Sequence, residues 1–268
     1  MDCFSLGGMV ESTLNSMHLI TSGCSFSQTH FLRTWPIHLQ EHYDVDADHY
    51  GVGSQGNGMI IRKALYGLEN NKDKNCLLLV MLSHPDRSEF YNTDTKPLTY
   101  GGIEANFISD RSFRNSNYKP GSWGITNSHW IDPNKTIDYI ADDDKVTTVC
   151  SKAYYNHIYS DVYSQILTLE YILRLQQYCK LNNLKYVFMT YTNRVLNFLD
   201  HPECSWLYKQ IDYDHFIEES CFEWCKDKSG IDMPKKYYTH NDDHPSSEQH
   251  SKYTHNVIIP HLEKVGYV

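Results

Sequence analysis

Apolar residues along this chain fall into short unbroken runs, separated by stretches in which they recur every three or four positions. Cys76 to Leu82 (CLLLVML) is the clearest run. It is too short for a helix and has no polar face, which predicts a central parallel strand buried on both sides. Lys185 to Thr192 (KYVFMTYT) predicts a second such strand, and Leu19 and Ile20 mark a shorter one over 18–23. Residues 45–52 read as a short strand running into a glycine-rich block. Helical spacing lies between the runs. Phe31, Leu32, Trp35, Ile37 and Leu39 predict one helix, with Pro36 near its start. Met59, Ile60, Ile61, Ala64 and Leu65 predict a second helix. Ile158, Val162, Ile166, Leu169, Ile172 and Leu175 predict a long one over about 155–182. A last helix starts at Ser246 or Ser247, where a hydroxyl caps it and Glu248 favours its first turn. Strands alternating with helices at both ends of the chain imply an open α/β fold with a parallel sheet.

Residues 91–150 break this rhythm. They are rich in Asn, Asp, Ser, Gly and Tyr and are punctuated by Pro97, Pro120 and Pro133. The segment is too long for a bare connection and too polar for a core of its own, so it reads as an insertion over the domain. As a lid it would place Tyr100, Trp123 and Trp130 along the approach to the site; as an assembly surface it would face away. The expected organisation is an N-terminal extension, 1–16, followed by one domain, 17–268, that carries the insertion.

Composition narrows the function classes. A chain of 268 residues with 40% hydrophobic content can build one large core. The net charge of −9 disfavours binding to nucleic acid or to anionic membranes. No apolar run reaches the roughly 18 residues of a membrane span, and the first residues lack the basic and apolar regions of a secretory signal. The expected location is therefore the cytoplasm. Eight scattered cysteines read as reduced thiols. Cys221 and Cys225 share a helix face, but no second pair completes a zinc site.

Candidate chemistry concentrates at the two ends. Ser22-Gly23-Cys24-Ser25-Phe26-Ser27 follows the first strand directly, which places a small nucleophile at the carboxyl edge of the sheet. As an ordinary feature, Ser25 would be a helix cap. Near the other terminus, Asn241-Asp242-Asp243-His244-Pro245 supplies the imidazole and carboxylates that a serine needs to lose its proton. His240, Asp242, His244 and His250 also form a dense set of nitrogen and oxygen ligands, an alternative metal reading that Pro245 and the Asn-Asp run weaken. Gly51-Val52-Gly53-Ser54-Gln55-Gly56 matches a dinucleotide fingerprint in letters only, because the strand before it is not apolar.

Taken together, these blocks resemble the SGNH (GDSL-like) hydrolases over about residues 17–90 and 184–262. The phrasing SGCSFS…TWP…L, with a terminal DxHPS…H, is similar to SGNH-type proteins of tailed phages, particularly those of marine cyanobacteria. The resemblance implies a three-layer α/β/α flavodoxin-like sheet and esterase or deacetylase chemistry through an acyl-serine, without a cofactor. Ser25 would be the nucleophile, His244 the base and Asp242 the orienting carboxylate. The family usually carries that Asp three residues before the His, where this chain has Asn241, so Asn241 and Asp243 stay as alternatives. The oxyanion hole would use the N–H groups of Ser25 and Gly56, with Gly53 in reserve. Asn57 would add a side-chain donor or cap the following helix. The family's Gly-x-Asn-Asp block is replaced by Leu82-Ser83-His84-Pro85, leaving Ser83 as the stand-in donor. Arg87 would hold an anionic substrate group or pair with Glu89. The implied partner is a small ester or acylated glycan, together with other virion proteins or a second copy of the chain. A non-catalytic structural or glycan-binding virion protein that keeps the fold is the competing reading.

Overall fold

The computed structural model describes residues 17–30, 32–53, 55–92, 99–100, 103–104, 122–126, 154, 157–196, 198–234 and 244–268. Four strands, β1 (Met17–Gly23), β2 (Asp46–Gly51), β3 (Asn75–Leu82) and β4 (Lys185–Thr190), pair entirely in parallel in the order β2-β1-β3-β4. A single parallel bridge, Phe188 to Phe216, extends the sheet beyond β4. Connections run outward from β1 to β2 and then back across it to β3. Between β1 and β3 the order therefore reverses, and this is where a parallel open sheet leaves a crevice beyond its strand ends.

Side-chain alternation along β1 divides the helices into two layers. Ser22 points to one face, where its hydroxyl donates to the carbonyl of Ile60 in α2 (Asn57–Asn70). Ile20 faces the same side, packed under Gly67 of α2 so closely that a Cβ there would lie 2.9 Å from it and 2.6 Å from Tyr50. Thr21 points the other way and donates to His49 Nδ1, whose Nε2–H reaches Gln40 in α1 (Trp35–Tyr43). The long helix α3 (Asp161–Leu181) joins the α2 layer through Asn57 and Thr168. After α4 (Pro202–Tyr208) and α5 (Cys221–Asp227), the C-terminal helix α6 (Ser247–Tyr253) joins the α1 layer, with Thr254 just beyond it bonded to the Trp35 carbonyl. The result is the expected three-layer α/β/α architecture. Its core is centred on β3, which is buried without interruption from Cys76 to Leu82.

Two helix starts differ from the periodicity. α1 begins at Trp35, with Pro36 in its first turn, where a missing N–H costs nothing; Leu32 lies before the helix and Phe31 outside the described residues. α3 begins at Asp161, because the Ser160 side chain caps it by accepting from the Tyr163 N–H; Ile158 stays outside the helix and exposed. Two short antiparallel pairs, Ser88–Asn92 with Ser122–Thr126 and Thr99–Tyr100 with Ile103–Glu104, are the described parts of the 91–150 segment and its approach. Residues 1–16, Trp130, and the side chains of Tyr100 and Trp123 lie outside what the structure describes. No helix among the described residues is long and apolar enough to cross a membrane.

Candidate active site

Ser25 follows the end of β1 and Ser83 the end of β3, and His244 meets Ser25 at this carboxyl edge of the sheet from a helix start. After β1 the chain folds into a one-turn 3-10 helix, Ser25–Ser27. Ser27 anchors that turn from below: its N–H bonds to the Cys24 carbonyl, and its buried hydroxyl accepts from the Trp35 indole at 3.1 Å. The turn lies so close to β2 that a Cβ on Gly51 would stand 2.2 Å from the Ser27 carbonyl oxygen. That contact explains the glycine better than any phosphate cradle would. Gln55, fully buried, ties the ends of both strands together by donating to the carbonyls of Gly23 (2.7 Å) and Tyr50 (3.2 Å). Ser25 is thus presented on a rigid, half-exposed turn.

His244 arrives from the far end of the chain. It precedes α6, whose N-cap Ser246 forms a reciprocal capping box with Gln249. The Gln249 amide also donates to the carbonyls of Cys225 and Ile231, so this helix start is fixed on several sides. The Nε2 of His244 lies 2.6 Å from Ser25 Oγ across 219 residues of sequence. At that distance the serine hydroxyl can donate to Nε2, the arrangement that a serine and its base require. Phe26, the residue after the serine, packs its ring 4.5 Å from the His244 ring and 5.0 Å from Tyr191, walling one side of the pair. Behind Phe26 lies His250, wholly buried; burial first, then the charges of His244 and His38, push its pKa down to about 3. The second imidazole therefore stays neutral beside the first.

An orienting carboxylate would have to meet Nδ1 of His244. Asp242, the sequence candidate, lies outside the described residues, as do Asn241, Asp243 and His240. His244 faces Ser25 while His250 turns its Nδ1 toward Cys221 Sγ, so these two histidines do not converge on a shared point. Among the described residues no group of three or more His, Cys, Asp or Glu is placed to hold a metal ion. Cys221 and Cys225 are free, buried thiols.

The expected oxyanion donors separate into two groups. Ser25 opens its turn and Gly56 is the N-cap of α2, positions whose neighbouring N–H groups have no partner within the helix. Asn57 and Ser83 are engaged elsewhere, which corrects the sequence expectation for both. Asn57 Oδ1 accepts the Ser83 N–H at 2.8 Å, and its two amide hydrogens go to the Ser83 carbonyl and Thr168 Oγ1. The Ser83 hydroxyl, fully buried, also turns to Asn57. This pair is a bracket between α2, β3 and α3, and neither side chain points a hydrogen into the crevice. Gly53 lies near the serine: a Cβ there would be 3.9 Å from Ser25 Cβ, and its N–H donates to Gln28 Oε1 at 3.0 Å. Arg87 stacks over Tyr191 at 5.6 Å and reaches the Gln55 carbonyl at 3.5 Å, so its guanidinium stands on the same side as the serine. The side chain of Glu89 is outside the described residues.

Gln28, Gln55 and Gln249 are the positioning residues that the sequence reasoning missed. Gln28 and Gln55 bind backbone groups, which leave no residue pattern to read, whereas Gln249 closes a Ser-x-x-Gln capping box that could have marked it.

No family model matches this chain, and no curated protein matches it in sequence. Among solved structures it is similar to a G-D-S-L family protein from Desulfitobacterium hafniense (8% identity, TM-score 0.45, 94% of this chain and 99% of that one). It is also similar to a psychrotrophic esterase from a Pseudoalteromonas species (12%, 0.44, 93% and 100%). A GDSL-like lipase from Bacteroides thetaiotaomicron is a third (10%, 0.42, 93% and 88%). Similarity at this level carries no functional weight, so the chemistry must be argued from the side chains.

Proposed function

We propose that this protein is a serine esterase or deacetylase that works through an acyl-serine. The observation that carries the reading is the 2.6 Å contact between Ser25 Oγ and His244 Nε2. A serine hydroxyl is a weak nucleophile until an adjacent base accepts its proton. In the reaction, Ser25 Oγ attacks the ester carbonyl as its proton passes to Nε2. The resulting imidazolium then protonates the leaving alcohol. In the second half His244 takes a proton from water, which attacks the acyl-serine and releases the acid. Asp242 is assigned the orienting role at Nδ1, and the N–H groups of Ser25 and Gly56 the oxyanion hole. Arg87 is assigned to an anionic group on the substrate, and the 91–150 segment to shaping access. An O-acetylated glycan is the substrate class that the sequence resemblance suggests.

The engagement of Asn57 and Ser83 favours a second reading. Each missing oxyanion donor costs about 10²–10³ in rate. A glycan-binding or structural virion protein that keeps the pair without turnover is therefore the alternative.

Hydrolysis of p-nitrophenyl acetate separates the two. The esterase reading predicts turnover that falls at least about 10³-fold in both Ser25→Ala and His244→Ala. Wild-type turnover no faster than that of the variants would leave the non-catalytic reading.

A further inference from the structure

A cavity of about 220 Å³ opens beside the turn that follows β3, and nothing in the proposed chemistry uses it. His84, Tyr159, Asp161, Ser164, Gln165 and Phe198 line it. The His84 imidazole is held by its own neighbour: Nδ1 lies 2.6 Å from a carboxylate oxygen of Asp86, which is only 2% exposed. That contact fixes the ring. On the opposite wall the Tyr159 hydroxyl donates to Asp161 Oδ1 at 2.7 Å, and the Ser164 hydroxyl donates to the Asp161 carbonyl at 2.9 Å. Burial raises the Tyr159 pKa well above its ordinary value, so the phenol keeps its proton for that bond. The hydroxyl hydrogens of Tyr159 and Ser164 are therefore committed within the protein, and the oxygens of Asp161 and Ser164 present lone pairs. Such a wall selects a ligand that brings its own hydrogen-bond donors.

Phe198 supplies an independent observation. Its φ is +54°, a left-handed conformation that a bulky residue adopts only under strain. The ring is 48% exposed, so it gains little burial in return. The backbone is held in place by the His201 N–H, which bonds to the Phe198 carbonyl at 3.0 Å. Strain that presents a flat apolar ring beside an acceptor-rich wall is explained by a ligand with one apolar face and a rim of hydroxyls. Among the described residues no lysine or arginine lines the cavity and a carboxylate does, which disfavours phosphate and carboxylate ligands.

We propose that this cavity is a sugar subsite: Phe198 stacks on a pyranose face while Asp161 and Ser164 accept from its hydroxyls. Its place in the molecule links it to the serine. The Arg87 N–H closes the turn on the His84 carbonyl, and the Arg87 side chain crosses to Tyr191, which packs on Phe26 beside Ser25. A sugar held at His84 would thus extend from an ester presented to Ser25. That part of the inference rests on the esterase reading; the binding itself does not.

The test uses the full chain in two arms. In the first, methyl β-D-glucopyranoside and methyl β-D-galactopyranoside are titrated into Ser25→Ala protein and followed by saturation-transfer NMR. In the second, kcat/KM is compared between a 6-O-acetylated methyl glycoside and p-nitrophenyl acetate. Phe198→Asn removes the ring while suiting the left-handed backbone, so it should melt no lower than the wild type. Asp161→Asn removes the carboxylate. The expected results are glycoside binding weakened about 10-fold or more in both variants, and a selectivity ratio for the acetylated glycoside that falls about 10- to 100-fold. If no ester is hydrolysed but glycoside binding depends on Phe198, the esterase reading fails and the sugar site stands. Ester hydrolysis without glycoside binding, or with binding indifferent to Phe198, overturns the subsite. Binding of choline in place of glycosides, dependent on the same two residues, would reassign the cavity to a cation.

Discussion

Asn57 illustrates how burial decides what a residue can do. In the sequence it reads as a donor at the mouth of a helix. In the structure its amide is used up holding Ser83 and Thr168. Asn57→Ala should therefore act through stability. It leaves the Ser83 N–H and carbonyl unsatisfied in the interior, a loss of about 2–4 kcal/mol that a urea titration would read. Ser25→Ala should do the reverse, leaving the urea midpoint within about 0.5 kcal/mol of wild type while abolishing hydrolysis. An Asn57→Ala protein that melts normally but turns over slowly would return Asn57 to the oxyanion hole. Legibility follows the same line. Ser25 and His244 could be singled out because each sits in a short local motif at a strand end or a helix start. Gln28 and Gln55 could not, because what they bind is main chain brought near by folding.

At the scale of elements, β3 and β4 were legible because continuous apolar runs have one comfortable location, inside a sheet covered on both faces. β3 matches its run residue for residue over Cys76–Leu82. Helix starts were less legible, since capping competes with periodicity: Ser160 stops the apolar repeat from extending back to Ile158. Close approach between elements leaves only a glycine as its trace. Gly67 is the test case, because two effects oppose each other there. Replacing an interior helical glycine with alanine gains up to about 1 kcal/mol in propensity. The new methyl would stand 2.6 Å from the Tyr50 ring and 2.9 Å from Ile20, and both are buried. Overpacking of this kind costs about 1–3 kcal/mol, so Gly67→Ala should be net destabilising in urea titration. A gain in stability would mean that α2 can ride up on the sheet.

For the whole molecule, buried imidazoles set the response to acid. Burial is the leading cause that pushes His49 down to about 4 and His250 down to about 3. In the unfolded chain both return to about 6.5. Below that value the unfolded state binds protons that the folded state refuses, so stability is lost as pH falls from 6.5 toward the folded values. Between pH 7 and pH 5 each group contributes a loss of about 2 kcal/mol, together a large share of a typical domain's 5–15 kcal/mol. Urea midpoints should fall over that range, and less steeply in His250→Gln. A midpoint independent of pH there would mean that these imidazoles are hydrated or charged in the folded state. The fold also brings Ser25 and His244 together across 219 residues, and the proposed chemistry depends on that contact. A fluorophosphonate probe, with the adduct mapped by mass spectrometry, tests it most directly. The account predicts one adduct, on Ser25, absent in Ser25→Ala and strongly reduced in His244→Ala while both variants remain folded. Labelling of a different residue, or labelling of Ser25 that does not depend on His244, would contradict it.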